Sequence, residues 1–437
     1  MKKTLKFGGT SLASPETIKL VKDIINSTEG SKYIVVSAPG KRFKDDTKVT
    51  DLLIGSYNSK NDEPQFCMLF NKISERFKTI IEGLKLPISI DQDLSAIKAN
   101  IKTSTNASYA ASRGEYLMGK IMAEYLSLPF IDSVNLIKFN KQGIFNYNKS
   151  AKLIETFTKK LPGAVIPGYY GACGSNGSTK IFTFTRSGSD YTGSVVAAAT
   201  NSEVYENWTD VNGFLTADPK IAENAKFIEE LSFRSLRDLS YMGAGVLHSD
   251  CVFPLVNRNI PIIVKNTFNP DHSGTKIVES VAPSQKIDGI TGKKNLIKIV
   301  VEKSMLKSKL KAISQLLSVL KKYNLVLEHI LASVDSISVV IEEKYFSCIE
   351  QDLIDDINRI LEPNNIIIKK DIAIIAVAGN DLTVNENYLP KVFSAILENH
   401  IKIRMIDYGS SKSNILIGVQ NTDFETVIKN IHKSLFE

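Results

Sequence analysis

The stretch Lys6-Phe7-Gly8-Gly9-Thr10-Ser11 decides the fold of the first part of the chain. It follows the short apolar run Thr4-Leu5 and precedes Ser14-Pro15, where Ser14 is a favourable N-cap and Pro15 suits the first helical position. Apolar residues then recur at helical spacing, at Ile18, Val21, Ile24 and Ile25. The pattern predicts a strand, a glycine loop and a helix in that order.

The composition of this loop indicates an anion site. Two adjacent glycines let the backbone approach a ligand closely, and the N–H groups at a helix N-terminus favour a phosphate. Lys6 places a positive charge at the end of the strand, where a transferring phosphoryl group needs one. The loop has neither the Gly-Lys-Ser/Thr of a Walker A sequence nor the third glycine of a dinucleotide fingerprint. An ordinary strand-to-helix turn with a surface lysine therefore remains an alternative at this point.

The length, composition and charge of the whole chain limit the classes of protein to which it can belong. Its 437 residues suggest two to three domains, and the 43% hydrophobic and 23% charged content is that of a globular protein. The net charge of +7 comes without a basic stripe interleaved with aromatics, so nucleic acid is not an expected partner. No run of 18 or more apolar residues and no signal-peptide pattern is present, which predicts a cytoplasmic protein without a membrane partner. The scattered cysteines indicate a reducing compartment and argue against zinc or disulfide frameworks: Cys67, Cys173, Cys251 and Cys348.

A second strand, turn and helix follows near residue 181. The strand from Ile181 to Thr185 leads into Arg186-Ser187-Gly188-Ser189-Asp190 and then into a helix of small residues from Tyr191. An arginine there can hold a substrate carboxylate by two parallel hydrogen bonds. A structural Arg–Asp pair that caps the helix is the alternative.

Two further candidates lie nearer the N-terminus. Ser37 ends the apolar run Tyr33 to Val36, and ligands of parallel sheets sit beyond the carboxyl ends of strands. Glu115 falls in the first turn of a helix predicted to open at Ser112, where helix capping is the simpler interpretation. His248 is expected to be a core or capping histidine, and residues 62–106 are predicted to be helical without chemistry.

The C-terminal third has a different organisation. A linker is predicted at 283–295, and the strands and helices beyond it fit two βαββαβ-like units packed together. Because this region has no catalytic constellation, it is predicted to be a binding or assembly module.

Taken together, these segments resemble aspartate kinase of the monofunctional type with two C-terminal ACT domains, from Lys6 to Glu437. The resemblance rests on motifs in the family's order: Lys6 to Ser11; Val35-Val36-Ser37-Ala38; Val49-Thr50-Asp51-Leu52-Leu53; Gly114-Glu115; Arg186 to Thr192; Trp208-Thr209-Asp210-Val211; Asp218-Pro219; Gly245-Val246-Leu247-His248; Gly379-Asn380-Asp381-Leu382; and Ile403 to Gly409.

The resemblance implies an α/β fold: an amino-acid-kinase three-layer α/β/α sandwich, followed by tandem ferredoxin-like βαββαβ ACT domains. The implied catalytic domain spans 1–285 and the regulatory tandem 295–437. The first ACT unit, about 305–368, is predicted to be inserted into a second unit made of 295–304 and 369–437. The implied activity is ATP-dependent phosphorylation of the β-carboxylate of L-aspartate, the entry step to lysine, diaminopimelate, threonine and methionine.

The resemblance also assigns roles to residues of this sequence. Lys6 would neutralise the transferring phosphoryl group, Asp190 would orient Lys6, Glu115 would bind the substrate ammonium and Arg186 its α-carboxylate. The remaining implied substrate positions are Ser37, Thr50, Ser187, Gly188 and Ser189. The implied ATP positions, besides Lys6, are Phe7, Gly8, Gly9, Thr209, Asp210, Leu215, Lys220, Gly245 and Val246. Mg²⁺ is expected to be held mainly by the nucleotide, with no dedicated set of protein ligands.

This sequence departs from the family at several positions. Gly245 stands where a lysine is frequent, Leu215 replaces an aromatic and Lys220 an arginine. Lys311-Ala312 replaces a glycine-aromatic pair that takes part in effector binding in lysine-sensitive relatives. L-lysine is the expected effector, with other amino acids left open, and the ACT tandem implies a homodimer. A kinase acting on another amino acid such as glutamate, and a catalytically impaired amino-acid sensor, are the competing functions.

Overall fold

A computed structural model describes residues 2–174, 179–185, 187–281, 287–303, 309–344, 346–379, 382, 387–408 and 413–437. The chain forms two compact units, the first comprising Met1–Phe214, Phe227–Ser240 and Gly245–Ala282, and the second Leu215–Lys226, Tyr241–Ala244 and Pro283–Glu437. Two short segments before residue 282 thus belong to the second unit, and the predicted domain bounds stay a prediction. Arg186, Asn380, Asp381 and Gly409, singled out from the sequence, lie outside the described residues.

The first unit is built on a mixed sheet. Its strands are β1 (Lys2–Phe7), β2 (Ser31–Val36), β3 (Gly163–Pro167), β4 (Tyr170–Cys173), β5 (Lys180–Thr183), β6 (Val204–Thr209), β7 (Glu230–Ser232), β8 (Ile262–Asn266) and β9 (Thr275–Val278). The sheet order is β3-β2-β1-β6-β8-β9-β7, with β3 through β8 parallel and β9 antiparallel to β8. Strands β4 and β5 form a separate antiparallel pair. Phe130 forms an isolated parallel bridge with Val165 of β3.

Helices cover both faces of this sheet. They are α1 (Pro15–Ser27), α2 (Val49–Asn58), α3 (Glu63–Gly83), α4 (Asp91–Thr103), α5 (Ala107–Leu126), α6 (Ser133–Leu136), α7 (Tyr147–Thr158), α8 (Gly188–Thr200), α9 (Phe233–Tyr241) and α10 (Phe253–Val256). In β2, Ile34 and Val36 pack in a core with α1 to α5, whereas Tyr33 and Val35 pack on the opposite side with α6 to α8. This alternation confirms the predicted α/β/α sandwich.

The predicted start of the first helix is confirmed in detail. Ser14 caps α1: its Oγ accepts from the N–H of Thr17, and the hydroxyl of Thr17 accepts from the N–H of Ser14. Pro15 occupies the first turn, where its missing N–H costs nothing. Helix α1 therefore begins at Pro15, a few residues after Gly8 and Gly9 of the glycine loop.

The second unit is an antiparallel sheet with helices, as the two βαββαβ units predict. Its elements are β10 (Ile287–Glu302), α11 (Lys309–Lys322), β11 (Leu327–Ala332), β12 (Ser336–Glu342), α12 (Phe346–Leu361), β13 (Asn365–Gly379), α13 (Tyr388–Leu397), β14 (Met405–Tyr408), β15 (Asn414–Gln420) and α14 (Phe424–Phe436). The strand order is β11-β12-β10-β13-β15-β14. Each half of this sheet has the strand order of a ferredoxin-like unit.

Two long strands, β10 and β13, run through both halves. Residues 296–302 of β10 pair with β12, and residues 298–302 also pair with 365–369 of β13, whereas residues 287–293 pair with 374–379. The strand Ile297–Val301 was expected in the second unit, but its apolar side chains pack with α11 and α12 of the first half. Register shifts between Lys293 and Lys298 separate the two parts of β10, and residue periodicity does not reveal such a shift.

The segment Leu215–Lys226 is integrated into the second unit. Ala217 and Ala222 lie in an apolar core with residues of α13 and α14. The hydroxyl of Thr216 and Nε2 of His432 are 2.9 Å apart and buried, and Lys226 Nζ donates to the carbonyl of Phe436. Within the described part of the chain, none of the helices combines the length and apolar character that crossing a membrane requires.

Candidate active site

The candidate site lies at the carboxyl edge of the parallel strands. Strands β1, β2, β3 and β6 end at Phe7, Val36, Pro167 and Thr209 and run in the same direction. The residues that follow them, among them the glycine loop, Ser37 and Asp210, therefore collect at one edge, where parallel sheets bind ligands.

Lys6 lies at the centre of a buried polar cluster. Its side chain is only 8% exposed, and its Nζ forms an ion pair with Asp190 in the first turn of α8. Lys6 Nζ also donates to Asn207 Oδ1 at 3.3 Å, and Asn207 Nδ2 donates to Asp190 Oδ1 at 3.2 Å. The three side chains hold the ammonium at a defined position, because a buried charge without partners is costly. This arrangement is not the surface lysine of the alternative interpretation.

Asn207 was not singled out from the sequence. It is the register partner of Lys6 in the adjacent strand β6 and is 2% exposed. The signal that was available is the pair Glu206-Asn207 between the aromatic residues Tyr205 and Trp208 of this strand, because buried polar side chains need hydrogen-bond partners.

The glycine loop is held by backbone contacts. Gly8 N donates to the carbonyl of Trp208 at 3.0 Å, and Gly40 N donates to the carbonyl of Gly9 at 2.8 Å. A Cβ added to Gly9 would lie 3.0 Å from the carbonyl oxygen of Ala38, so a larger residue is strained there. The side chain of Phe7 is buried and stacks on Trp208 with ring centroids 6.1 Å apart, and its carbonyl accepts from the N–H of Ser37, so Phe7 supports the loop from the sheet.

A cavity of about 620 Å³ opens beside this loop. It brings together five residues named from the sequence, which are Gly9, Ser37, Thr50, Glu115 and Asp210. A loop of basic residues that the sequence reading did not single out forms another part of its lining: Lys41, Arg42, Lys44 and Lys48. The surroundings therefore favour an anionic ligand.

Glu115 is the acidic group buried in this cavity. It lies inside α5, which begins at Ala107 after the N-cap Asn106, so the interpretation of Glu115 as a helix-capping residue is wrong. Its carboxyl is 5% exposed, and Oε2 has no hydrogen-bond partner among the described residues. Burial raises the pKa of Glu115 to about 8, although backbone hydrogen bonds and the charge of Arg113 oppose the rise. A buried carboxyl with a free oxygen fits a cationic group of a ligand.

The turn before α8 is tightly packed. Ser187 has a left-handed φ of 46°, and a Cβ on Gly188 would lie 2.7 Å from the ring of Tyr169. Ser189 is buried beside Gly168, where a Cβ would lie 2.7 Å from Ser189 Oγ. Arg186 precedes this turn and lies outside the described residues, so its role stays a prediction. Asp190 is paired with Lys6, which contradicts the view of Asp190 as only a capping residue.

Thr209 and Asp210 connect the end of β6 to the glycine loop. The hydroxyl of Thr10 donates to Asp210 Oδ2 and that of Thr209 to Asp210 Oδ1, both at 3.2 Å. Gly245 and Val246 precede His248, whose Nδ1 caps a short helical turn by accepting from the N–H of Asp250. The prediction of a capping histidine is confirmed.

Two other expected nucleotide positions, Leu215 and Lys220, belong to the second unit. Lys220 is exposed, and its backbone N–H donates to Asp218 Oδ1 at 2.9 Å. The expected nucleotide positions are thus distributed over both units. In the residues that the structure describes, no group of three or more His, Cys, Asp or Glu side chains is arranged to hold a metal ion.

Comparison with known proteins follows the same division of the chain. The sequence model of the amino acid kinase family matches residues 1–266, and an ACT domain model matches residues 375–435. Aspartokinase 3 of Bacillus subtilis (strain 168) is 29% identical over 99% of this chain and 98% of its own length. Lysine-sensitive aspartokinase 3 of Escherichia coli (strain K12) is 24% identical with the same coverage.

Solved structures agree over the full length. The aspartate kinase of Clostridium acetobutylicum is 41% identical and superposes with a TM-score of 0.89 over 99% of this chain and 100% of its own. Escherichia coli aspartokinase III, in complex with aspartate and ADP, has a TM-score of 0.85 at 22% identity and covers both chains completely. At that identity the second structure supports the fold alone.

Proposed function

The chain belongs to the aspartate kinases of the amino acid kinase family, and from this premise we propose how its residues transfer the γ-phosphoryl group of ATP to the β-carboxylate of L-aspartate. The observation that carries the proposal is the position of Lys6. Its ammonium, held by Asp190 and Asn207, lies beside the glycine loop, and that loop lines the same cavity as the buried carboxyl of Glu115.

The reaction needs charge neutralisation more than proton transfer. The attacking β-carboxylate has an ordinary pKa of about 3.9 and is already ionised at neutral pH, so no general base is required. The nucleophile and the phosphoryl group are both anionic and repel each other. Lys6 offsets this repulsion, and a fixed ammonium does so without reorganising during the reaction. Asp190 and Asn207 act by holding Lys6 in place.

The substrate would be oriented by its two other charged groups. Glu115 offers an unpaired oxygen to the α-ammonium, and Arg186 offers two parallel N–H groups to the α-carboxylate. Ser37, Thr50 and Ser189 supply hydroxyls around the β-carboxylate and the phosphoryl group. Such positioning lowers the barrier because it replaces an encounter in solution by a fixed geometry.

The nucleotide would follow the glycine loop. Gly8 and Gly9 would lie around the phosphates, where the absence of side chains lets the nucleotide approach the backbone. Because the N–H of Gly8 donates to the carbonyl of Trp208, it is not counted as a phosphate donor. The remaining nucleotide residues would be Thr209, Asp210, Leu215, Lys220, Gly245 and Val246. Mg²⁺ keeps several waters and prefers phosphate oxygens, which suits a cavity wall made of basic side chains and one exposed carboxylate. Bound to the phosphates, the ion would withdraw charge from the transferring group.

The second unit is the place for regulation. Escherichia coli aspartokinase III has been solved in complex with lysine and aspartate in a T-state. We propose that an amino acid such as L-lysine binds the second unit of this protein, that the chain forms a homodimer through this unit, and that it acts in the cytoplasm. Substitution of a glycine-aromatic pair by Lys311-Ala312 makes the identity of the effector a question for experiment.

The test is trapping of the product. The full-length chain is incubated with ATP, Mg²⁺ and L-aspartate, and hydroxylamine displaces phosphate from the acyl phosphate to give a hydroxamate, which is measured as its coloured complex with ferric ion. Hydroxamate from L-aspartate and not from L-glutamate supports the proposal, and suppression by added L-lysine supports the effector. Absence of hydroxamate with L-aspartate while ADP still binds would overturn it.

A further inference from the structure

One wall of the cavity is a loop without helix or strand, residues 40–48, called here the cavity loop. It carries Lys41, Arg42, Lys44 and Lys48, which line the cavity. A segment without a hydrogen-bond ladder of its own keeps one shape only if contacts from elsewhere fix it. Helix α3 supplies the side chain that holds this loop from outside, Arg76.

Arg76 of α3 reaches both ends of the cavity loop. Its Nη1 donates to the carbonyl of Gly40 at 3.0 Å, and its Nη2 donates to Asp46 Oδ1 at 2.8 Å and Oδ2 at 2.6 Å. The side chains of Arg76 and Asp46 are 4% and 8% exposed. A charge pair buried this deeply pays a large desolvation cost, and removal of one partner leaves the other uncompensated. The geometry of the loop therefore depends on the pair being intact.

Asp46 collects further donors from the loop itself. The backbone N–H and Nε of Arg42 donate to Asp46 Oδ2 at 3.0 and 2.9 Å, and the N–H of Thr47 donates to Oδ1 at 2.9 Å. These hydrogen bonds, with the charge of Arg76, hold the pKa of Asp46 well below its ordinary value. The carboxylate of Asp46 thus accepts hydrogen bonds from several groups of the cavity loop, and its ion pair with Arg76 connects the loop to helix α3.

The same loop contacts the catalytic elements at its ends. Gly40 accepts from Arg76 through its carbonyl and donates through its N–H to Gly9, the second glycine of the phosphate loop. Pro39, just before the loop, accepts through its carbonyl from the N–H of Val49, the first residue of α2, and Thr50 follows it. Displacement of Gly40 would therefore change the position of the glycine loop and of the Thr50 hydroxyl that is proposed to contact the substrate.

We propose that Arg76 is a positioning residue for aspartate phosphorylation, which fixes the cavity loop between the phosphate loop and Thr50. This inference rests on the proposed function of the cavity. Arg76 contacts no reacting atom, and it acts through Gly40 and Asp46. The cavity that this loop lines contains three proposed aspartate residues, Ser37, Thr50 and Glu115, but only Gly9 and Asp210 of the proposed nucleotide residues. Displacement of the loop therefore weakens the use of L-aspartate more than the binding of ADP.

The experiment compares Arg76→Ala, Arg76→Lys and Asp46→Asn with Lys78→Gln, an exposed lysine on the same helix as control. Arg76→Ala and Asp46→Asn are expected to lower kcat/KM for aspartate by about 100-fold, the size that a misplacement of about 1 Å can produce. ADP binding changes little, and Lys78→Gln behaves as the wild type. Arg76→Lys stays impaired, because a point charge cannot bind the carbonyl and the carboxylate together.

A readout specific to positioning is rescue by added methylguanidine, which should restore aspartate turnover to Arg76→Ala and not to Asp46→Asn. If Arg76→Ala fails to fold, the kinetics of Asp46→Asn decide, since that change conserves volume and leaves Arg76 in place. Wild-type kcat/KM in folded Arg76→Ala or Asp46→Asn overturns the inference, as does a loss of ADP binding that parallels the loss of turnover. Failure of the proposed function itself would appear earlier, as absence of hydroxamate from the wild type.

Discussion

Gly9 and Gly40 are in direct backbone contact, and this contact joins the loops that follow the first two strands. The N–H of Gly40 donates to the carbonyl of Gly9 at 2.8 Å, and a Cβ on Gly40 would lie 2.6 Å from the carbonyl carbon of Gly9. A methyl group does not fit there. We expect Gly40→Ala to displace the glycine loop and lower kcat by about 100-fold, measured by hydroxamate formation.

A matched control is Gly55→Ala in α2. A Cβ on Gly55 meets only the end of the Leu69 side chain, at 3.2 Å, and alanine suits a helix interior. This variant should keep normal turnover and equal or greater thermal stability. A Gly40→Ala enzyme with normal kcat would show that the two loops move independently of each other.

Substitution of Lys6 separates catalysis from folding. Lys6→Ala removes the fixed ammonium, and we expect kcat to fall by about 10²–10³-fold, as when one preorganised donor is removed from an active site. Asp190 retains its hydrogen bond to Asn207, so the fold should persist. Steady-state kinetics and thermal unfolding by circular dichroism measure the two effects.

The control for Lys6 is Lys2→Ala, an exposed lysine on the same strand, which should alter neither quantity. Normal turnover by a folded Lys6→Ala enzyme would remove Lys6 from the mechanism. A collapse of the fold with no measurable turnover would instead assign Lys6 a structural role.

The ionisation of Glu115 predicts how aspartate use varies with pH. Burial raises the pKa of this carboxyl to about 8, so most of it is protonated at pH 7 in the free protein. Only the carboxylate form attracts the substrate ammonium. We therefore expect kcat/KM for aspartate to rise about tenfold per pH unit well below the pKa and to level off near pH 8.

Glu115→Gln should remove this rise and bind aspartate poorly at every pH. Glu124→Gln, an exposed position on the same helix, serves as control and should keep the wild-type profile. A wild-type profile that is flat between pH 6 and 8 would count against Glu115 as the ammonium partner.

The same carboxyl affects folding stability with a definite sign. Its pKa in the folded protein lies above the ordinary value of 4.5, so the unfolded chain loses the proton first as pH rises. Its contribution is complete below pH 4.5 and declines up to about pH 8. We expect Glu115→Gln to be more stable than the wild type at pH 8 and similar at pH 4.5, measured by urea unfolding at both values. An equal difference at both pH values would contradict the raised pKa.

Short-range features of the site could be predicted from the sequence. The loop after β1, the capping of α1 by Ser14 and the turn before α8 each depend on neighbours within a few residues, and local rules for caps and glycines describe them. The burial of the first sheet on both faces follows in the same way from the continuous apolar run Tyr33 to Val36 in β2. Lys6 was therefore placed correctly at the end of its strand.

Long-range features could not be predicted in this way. Lys6 and Asn207 are 201 residues apart, and only strand pairing makes them neighbours. Glu115 was placed at a helix start because its burial within α5 depends on packing that no local pattern records. The sequence did contain a signal for Arg76. This residue lies three positions after Ile73 and one before Phe77, on the apolar face of α3. A charged side chain on such a face indicates a buried partner.

Strands β10 and β13, which both halves of the C-terminal sheet share, have a consequence for genetic recombination. Residues 296–302 and 365–369 complete the first half, and residues 287–293 and 374–379 complete the second, on the same two stretches of polypeptide. A genetic crossover between residues 303 and 364 would combine β10 of one parent with β13 of the other. Because these two strands pair in both halves of the sheet, both halves would then contain a mixed strand pair. An exchange of one half therefore alters the pairing of β10 with β13 in the other half as well.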